Sequence, residues 1–536
     1  MSFSKNKLVL LALALMLSVF LAACGGQDEP APDATDDTGE APVEATEGGD
    51  LTIAIPSDAV SLDPQGSNDS PSSNVQVNIY DSLIYHDENL ELQPALATEW
   101  ELVEDNVWKI TLREGVQFHD GSELTAEVVK ANFDRVLDPD VASPRSFLFD
   151  MINETKVVDD YTVHFVTEFP FSPLPSHLAH SGGGIISLNA IQADYEAMEA
   201  GQDAGSYVSA NPSGAGPFVF EEWVPGQYIK LVKNDNYWGE PAKIDSVTFS
   251  IVPESLTRVA ELETGNTHII EQVQPTDISR IEGTPGIGID RTESLSSAYI
   301  GFNTEKAPFD DIRVRQAVTM ALDKEIVVNN ILDGVGTIAY GPLAANVFGY
   351  SDEIEVLEYD VEAAKALLAE AGHADGFSTT IWTNDNPQRM DLAEFVQAQL
   401  KEIGIDVSIE VLEWGAYLEN TANAQHDMFI LGWVTVTADA DYGLYALFHS
   451  KNHGSAGNRS FIADPELDAL LDQARQEADP DVRAELYKEA QQIIVTEAPV
   501  TYTHFTHYVN GVNENVQGFW QHPNGMMQLQ NVTITQ

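Results

Sequence analysis

The fold is decided by residues Ile79–Val129, whose sequence is IYDSLIYHDENLELQPALATEWELVEDNVWKITLREGVQFHDGSELTAEVV. Within it Trp108, Ile110 and Leu112 alternate with polar residues, which predicts a strand with one apolar face. The tetrapeptide Phe118-His119-Asp120-Gly121 follows and predicts a turn, because glycine adopts backbone conformations that strain a branched residue. These motifs therefore indicate elements of the fold rather than a ligand site.

The C-terminal half of the chain alternates between helix and strand patterns. An apolar stripe with helical spacing stops before Gly404, a residue type that often follows the last helical turn; it comprises Leu392, Val396, Leu400 and Ile403. Residues 405–411, IDVSIEV, then alternate as a strand. The tripeptide Asp464-Pro465-Glu466 has the capping residue, proline and acid that begin a helix. This alternation predicts an α/β fold with a partly parallel sheet.

Longer motifs follow one another in an order that identifies a family. The first stretch contains PALA at residues 94–97, LREGV at 112–116 and FHDG at 118–121. Further motifs are NPSGAGPFVFEEW from Asn211, NDNYWG from Asn234, GFNTEKAPFDDIRVRQAV from Gly301, YDVEAAKALLAEAG from Tyr359 and IGIDVSIEVLEWGAYL from Ile403. Together they resemble the extracytoplasmic solute-binding proteins of peptide-type ABC importers, a family with dipeptide-, oligopeptide-, glutathione- and nickel-binding members. The resemblance spans residues 49–536.

This resemblance implies an α/β, two-lobed, periplasmic-binding-protein-like clamp of the class II type. Lobe I would span residues 49–298 with an extra subdomain at about 83–212, and lobe II would span 299–506. Residues 507–536 would return to lobe I. The ligand would lie in the cleft between the lobes, and hinge closure around it would give a membrane permease a shape to recognise.

The N-terminus has the pattern of an export signal. Lys5 and Lys7 precede an apolar run, Leu8–Ala23, which is short for a membrane span and typical of a signal peptide. The run ends in Leu21-Ala22-Ala23-Cys24, which resembles a bacterial lipobox; the alternative is an ordinary signal or short anchor with an incidental cysteine. The lipobox implies a signal peptide at 1–23 and fatty acylation of Cys24. Residues 24–48 are acidic and poor in bulky apolar groups, which predicts a disordered tether.

Charge and composition exclude several classes of function. The 536 residues contain 26 Lys+Arg against 85 Asp+Glu, a formal charge of −59 that would repel nucleic acid. A single cysteine permits no internal disulfide. The sequence lacks the nucleophile elbow, phosphate loop and zinc-protease motifs, so we expect neither an enzyme nor a cofactor. The run Asp439–Gly443 lacks oxygen ligands that a calcium loop requires, and His504 and His507 are spaced to face opposite ways on a strand.

The resemblance also implies where a peptide would bind. In dipeptide-binding relatives, an acid shortly after a Gly-Trp pair holds the ligand amine, and an arginine of the same lobe holds its carboxylate. Here Val436 stands where that acid is expected after Gly432-Trp433. Asp439 and Asp441 follow slightly later, an arrangement more similar to glutathione-binding members. Arg389 is the candidate carboxylate partner, with a solvated first-turn charge as the alternative.

Aromatic and glycine-rich segments complete the predicted cleft. We expect four aromatic side chains to wall the pocket, with core packing as the alternative for each: Trp433, Trp382, Trp414 and Tyr417. Ser181 and Gly182, in the run SGGGII, would offer backbone groups from the opposite lobe. No metal ligands are expected among the site residues.

The sequence thus predicts a monomeric, lipid-anchored receptor on the outer face of the cell membrane. It would bind short peptides or glutathione-like compounds and deliver them to an ABC permease. The alternatives are a receptor for nickel chelates or another solute, a sensor, and an extracytoplasmic hydrolase or chaperone with the same fold.

Overall fold

The computed structural model describes residues 48–535. The predicted signal peptide, Cys24 and all but the last residue of the predicted tether lie outside them. Strands β1–β21 are, in chain order, Asp50–Ile55, Ile84–His86, Leu92–Pro94, Ala97–Glu104, Val107–Leu112, Ile152–Asp159, Thr162–Thr167, Phe218–Val224, Tyr228–Lys233, Ser246–Ile251, Ile269–Ile270, Ile287–Phe302, Gly336–Ile338, Phe377–Asn384, Ile405–Leu412, Met428–Val434, Val500–Asn513, Val516–Gln517, Trp520–Gln521, Met527–Gln528 and Thr533–Ile534.

Helices α1–α15 are Ser70–Ile79, Ala126–Val136, Leu174–Leu178, Leu188–Glu199, Ser206–Ala210, Ser255–Thr264, Pro275–Glu282, Ile312–Met320, Lys324–Ile326, Val361–Glu370, Pro387–Glu402, Trp414–Ala422, Ala446–Phe448, Pro465–Gln476 and Pro480–Glu497. Short 3-10 turns lie at Ser146–Leu148, Ser181–Gly183 and Ser450–Asn452. Two π-helical turns lie at Val327–Ile331 and Asp441–Tyr445.

One large mixed sheet runs through the molecule in the order β15-β14-β16-β12-β17-β11-β1-β10-β9-β8. Strand β1 pairs in parallel with β10 and β11, and β14 pairs in parallel with β15 and β16. The predicted α/β class with a partly parallel sheet is therefore confirmed. We call the half with β1 and β8–β11 lobe I, and the half with β14–β16 lobe II.

The two halves are joined by the long antiparallel strands β12 and β17. Their pairing runs from Ile287 opposite Asn513 to Gly301 opposite Val500, and its register shifts between Glu293 and Ser297. Because β16 extends the sheet from β12 and β11 extends it from β17, these strands belong to both lobes. The lobes are therefore connected by hydrogen-bonded strands, as a two-lobed clamp requires.

A separate antiparallel sheet, β4-β5-β7-β6, forms what we call the subdomain. Its pairing sets Ile110 opposite Val163 and Trp108 opposite Phe165, as the alternation of the opening stretch predicts. Ile110, Val163 and Phe165 are fully buried in the subdomain core. The predicted turn is confirmed as well, because Gly121 has a φ of 81°. The residue boundaries drawn from the family resemblance stay a prediction.

Local signals also position the helices of lobe II. The carboxylate of Asp464 accepts the backbone N–H groups of Glu466 at 2.8 Å and Leu467 at 2.9 Å, so it caps helix α14 as predicted. Helix α11 buries the apolar stripe and ends before Gly404, which has a φ of 89°. The strand after it, β15, is the one predicted from its alternation. Helix α11 matters for the site because its first turn carries Arg389.

Lobe II and the subdomain are packed together in this structure. Tyr442 of lobe II is buried in the subdomain core, where its ring stacks at 6.1 Å on Phe147 and lies 4.9 Å from the ring of His180. Its neighbour Asp441 lies 3.0 Å from the ring nitrogen of His177 in the subdomain. The clamp is therefore closed along this side of the cleft.

Candidate functional site

Two adjoining cavities lie between lobe I and lobe II. Cavity A has an empty volume of about 1230 Å³ and cavity B of about 790 Å³, both including their open mouths. They share a wall formed by Ser70, Ser296, Arg389, Trp414, Leu431 and Val434. Sites for small ligands are typically concave spaces lined by apolar side chains with a few convergent polar groups. The cleft between the lobes is therefore the candidate binding site.

Arg389 lies at the boundary of both cavities. The N-cap residue Asn386 accepts the Arg389 backbone N–H at 3.1 Å, which fixes this residue in the first turn of α11. The half-buried guanidinium donates to Asn384 Oδ1 at 2.9 Å and lies 5.3 Å from the ring centroid of Trp414. No carboxylate within residues 48–535 forms an ion pair with it. The side chain of Arg389 is thus half-buried at the junction of the two cavities, and burial lowers its pKa.

A second arginine, Arg459, lines cavity B from the same lobe. It is 8% exposed and donates to Thr421 Oγ1 at 3.2 Å and to the Gly454 carbonyl at 2.8 Å. Burial lowers its pKa, and among the described residues it too has no ion-pair partner. Arg389 lines cavity B as well, so both arginines face the same space. Sequence reasoning missed Arg459 because no motif surrounds it.

The opposite wall of cavity B comes from the start of helix α1 in lobe I. Asp69 is its N-cap, and Oδ2 accepts the Ser72 N–H at 3.1 Å. The other carboxylate oxygen, Oδ1, is buried without a hydrogen-bond partner. Arg145 lies behind this wall and donates to the hydroxyls of Ser73 and Ser181, each at 2.8 Å. The capping pattern Asp69-Ser70-Pro71 is visible in the sequence, but it does not show that the cap faces a cleft.

The predicted serine and glycine of the opposite lobe have different roles. Ser181 lines cavity B, and its contact with a ligand stays a prediction. Gly182 is not part of the lining of cavity A or B, so its contact with a ligand has no support from these cavities and stays a prediction. A Cβ at Gly182 would lie 2.5 Å from Cδ of Arg145, so the glycine provides room for that buried side chain. The prediction that backbone lies close to another group at this run is confirmed.

The two acids proposed as amine partners are used elsewhere. Asp439 accepts from Arg483 at 2.5 and 2.8 Å, so both of its oxygens are occupied. Asp441 lies 3.1 Å from Nε of Arg475 and 3.0 Å from His177. Burial opposes its ionisation, but Arg475 and His177 outweigh burial and lower the pKa of Asp441 to about 2. Neither acid lines cavity A or B, so the structure gives no support to the prediction that they bind the ligand, which stays a prediction.

The four predicted aromatic residues divide into two pairs. Trp414 lines both cavities and Trp433 lines cavity B. Trp382 lines neither cavity and packs edge-on against His426, with ring centroids 6.4 Å apart. Tyr417 is fully buried and donates to the Ile430 carbonyl at 2.5 Å. For Trp382 and Tyr417 the alternative of core packing is correct.

Val436 lines cavity B, where dipeptide-binding relatives would place an acid. It is half-buried, and the neighbouring Trp433 packs on Tyr442 with ring centroids 5.0 Å apart. This part of lobe II is therefore apolar and aromatic. It offers a ligand amine no anionic partner.

Cavity A is lined by titratable side chains that the sequence did not identify as candidate site residues. His504 and His507 both line it, although they are three residues apart on β17. Glu271 lines it from lobe I, and burial raises the pKa of this carboxyl to about 7. Across residues 48–535, no group of three or more His, Cys, Asp and Glu side chains is arranged to hold a metal ion. No helix of that range is long and apolar enough to cross a membrane.

Comparison with known proteins identifies the family. The model of the bacterial extracellular solute-binding proteins, family 5 Middle, matches residues 91–455. The chain belongs to this family. The family 5 protein described here is 31% identical over 540 residues to the oligopeptide-binding protein AppA of Bacillus subtilis (strain 168), and 97% of each chain is covered.

Two further relatives bear on the ligand and the fold. The family 5 protein is 31% identical to the glutathione-binding protein GsiB of Pectobacterium atrosepticum, over 91% of this chain and 94% of the relative. Its structure is similar to that of the periplasmic binding protein DppA from Helicobacter pylori in complex with the peptide STSA. The TM-score is 0.85 at 31% identity, and 92% and 99% of the two chains are covered. The chain is thus an extracytoplasmic solute-binding protein of an ABC importer and not an enzyme.

Proposed function

We propose that this family 5 protein captures short peptides or glutathione-like compounds in cavities A and B and delivers them to its permease. The observation that carries the proposal is Arg389, a half-buried cation at the junction of both cavities without an acidic partner in the described residues. A planar guanidinium suits the bidentate binding of a carboxylate, which every unmodified peptide and glutathione carry.

The surroundings of Arg389 support the same ligand class. Trp414 and Trp433 provide apolar surface, and Ser70, Ser181 and Ser296 provide hydroxyls around the cavities. The relatives named above are described as binding an oligopeptide, glutathione and the peptide STSA. A cleft with a carboxylate site, aromatic walls and several hydroxyls suits compounds that carry amides between charged ends.

The test is a ligand panel with matched variants. Native mass spectrometry and calorimetry would measure binding of dipeptides, tetrapeptides, glutathione and nickel chelates to the wild type, Arg389→Met and Arg291→Met. Arg291 is the matched control because its guanidinium forms a surface ion pair at 2.9 Å with Glu282. We expect a peptide or glutathione to bind the wild type and the control, and to bind Arg389→Met far more weakly. Binding of a nickel chelate or a sugar with no response to any peptide would refute the proposal.

We further propose that Cys24 carries a lipid that anchors the protein to the cell membrane. The lipobox-like sequence Leu21-Ala22-Ala23-Cys24 supports this proposal, and more than one acyl chain is needed for durable anchoring. Labelling cells with a fatty acid tests it, since Cys24→Ala is expected to lose the label and to be released or left unprocessed. Equal labelling of the wild type and Cys24→Ala would refute the assignment.

A further inference from the structure

The walls of cavity B are rich in positive charge. Among the described residues, its formally charged lining groups are Arg389, Arg459 and Asp69, which leaves an excess of one positive charge. This excess lies within a chain whose formal charge is −59. Neither arginine has an ion-pair partner within residues 48–535; Arg459 is 8% exposed, Arg389 is half-buried, and burial lowers the pKa of each. Buried charges without partners are costly, so such an arrangement indicates that an anionic ligand supplies the partners.

Hydrogen-bond donors around cavity B point to the same conclusion. The indole N–H groups of Trp414 and Trp433 are buried without an acceptor. His180, which also lines the cavity, accepts the Gly182 N–H at its Nδ1 at 2.8 Å. The neutral ring therefore carries its hydrogen on Nε2, and that atom is also buried without a partner. Unsatisfied buried donors are rare in folded proteins, and three around one cavity indicate an acceptor-rich ligand.

One acceptor on the cavity wall lacks a donor. Oδ1 of Asp69 is buried and unpartnered, while Oδ2 is occupied by the N–H of Ser72. Asp69 faces the cavity from lobe I, and Val436 lines the same cavity from lobe II. The later acids do not line this cavity: Asp439 accepts hydrogen bonds from Arg483, and Asp441 lies 3.1 Å from Arg475 and 3.0 Å from His177. The carboxylate available to a ligand amine in cavity B is thus Asp69, in the opposite lobe from the one that the family resemblance implies.

We infer that the cleft selects peptide-like ligands with two carboxylates and one ammonium group, with Arg389 and Arg459 binding the carboxylates and Asp69 binding the ammonium. This inference rests on the proposed function and narrows it to ligands of net negative charge. Acidic dipeptides and γ-glutamyl peptides have this set of charges. Peptides with a neutral or basic side chain lack the second carboxylate and leave one arginine unpaired.

The first test needs no variant of the protein. Calorimetry at neutral pH and physiological salt would compare Ala-Glu with Ala-Gln, which have nearly the same shape and differ by one negative charge. A charge-assisted contact with a buried arginine predicts that Ala-Glu binds about 10- to 100-fold more tightly. Glutathione and its glycine monoethyl ester form a second pair with the same expectation. Equal affinities within each pair, or tighter binding of Ala-Lys than of Ala-Glu, would overturn the inference.

Three variants test which side chain binds which charged group of the ligand. In Arg459→Met the preference for Ala-Glu over Ala-Gln is expected to fall to about threefold or less, whereas Arg459→Lys keeps the charge and part of the preference. In Asp69→Asn the preference for Ala-Glu over N-acetyl-Ala-Glu is expected to disappear. Thermal unfolding of each variant shows whether the fold is retained. If Arg459→Met does not fold, Arg459→Lys and the comparison of Ala-Glu with Ala-Gln on the wild type still test the charge selection. An unchanged charge preference in folded Arg459→Met would refute its role.

The outcomes separate this inference from the function on which it rests. If Ala-Gln and Ala-Glu bind equally well, the protein is a peptide receptor without charge selection, and only the further inference falls. If no peptide and no form of glutathione binds, the proposed function itself falls.

Discussion

Replacing Arg389 with methionine should weaken ligand binding strongly while leaving the stability of the empty protein almost unchanged. The guanidinium makes one hydrogen bond at 2.9 Å to Asn384 and one cation–π contact at 5.3 Å with Trp414. These contacts contribute about 1 kcal/mol and about 0.5–1 kcal/mol. These contributions are offset by the free-energy cost of removing the Arg389 cation from water, because it has no acidic partner in the described residues. We therefore expect the free energy of unfolding of Arg389→Met to differ from the wild type by less than about 1 kcal/mol.

The effect on binding is expected to be larger because the ligand carboxylate would lose its partner inside the cleft. Removing one member of a desolvated, hydrogen-bonded charge pair costs about 2–5 kcal/mol. A central value of about 3 kcal/mol corresponds to a roughly 150-fold weaker Kd. The loss is expected mainly as faster dissociation, since changes within one site affect the dissociation rate more than the association rate.

Urea unfolding without ligand and calorimetry with Ala-Glu would measure the two effects on the same preparations. Arg291→Met serves as the control, because Arg291 pairs with Glu282 at the surface and is expected to change neither quantity appreciably. A Kd for Arg389→Met within threefold of the wild type would refute the role of Arg389. A loss of more than about 2 kcal/mol of stability would show that the arginine supports the fold and not the ligand.

Three further predictions concern position 436 in the cleft, the carboxyl group of Glu271 and the buried ion pairs of Arg135. Val436→Asp restores an acid to lobe II and should improve binding of Ala-Ala about tenfold relative to N-acetyl-Ala-Ala, as measured by calorimetry; an unchanged ratio would show that position 436 does not meet the amine. For Glu271, burial raises the folded pKa from 4.5 to about 7, so the folded state holds a proton that the unfolded state releases, and stability falls as pH rises through this window. Glu271→Gln should thus match the wild type in urea unfolding near pH 4.5 and exceed it by on the order of 2 kcal/mol near pH 8, and a constant difference would contradict the assignment. Arg135→Met leaves the buried carboxylates of Asp63 and Asp194, each 2.7 Å from Arg135, without their cation and should cost about 3–5 kcal/mol in the same assay; the surface variant Lys130→Met, expected within about 0.5 kcal/mol of the wild type, is its control.

The sequence was most informative where a local pattern determines local structure. The caps at Asp464 and Gly404 and the strand around Ile110 were all predicted correctly. Each depends on residues within one or two turns, so spacing alone carries the information. The order of the family motifs predicted the two-lobed arrangement of the whole chain, which local patterns alone do not give.

The candidate site was harder to predict because its residues act through distant partners. Asp439 and Asp441 had the right residue type near the expected position, but Arg483 and Arg475 come from later helices and occupy them. Nothing near Asp439 in the sequence indicates which cation it meets. Arg459 and Asp69 show the opposite case, since both lie in ordinary surroundings and reach the cleft through the tertiary fold.

The paired strands β12 and β17 form a two-stranded ribbon that joins the lobes. This ribbon bears on how tightly a ligand is held, whereas the side chains of the cleft bear on which ligand is held. We expect a change in the angle between the lobes to bend this ribbon, whose β12–β17 pairing is interrupted between Glu293 and Ser297. There Ser294 Oγ donates to the Thr506 carbonyl at 2.5 Å. A substitution at Ser294 would change the free energy of closure, and because every ligand requires that same closure, all affinities would shift by one common factor. Substitutions in the ribbon would therefore change how long every ligand stays bound. Substitutions at the arginines of the cleft would change which ligand is bound.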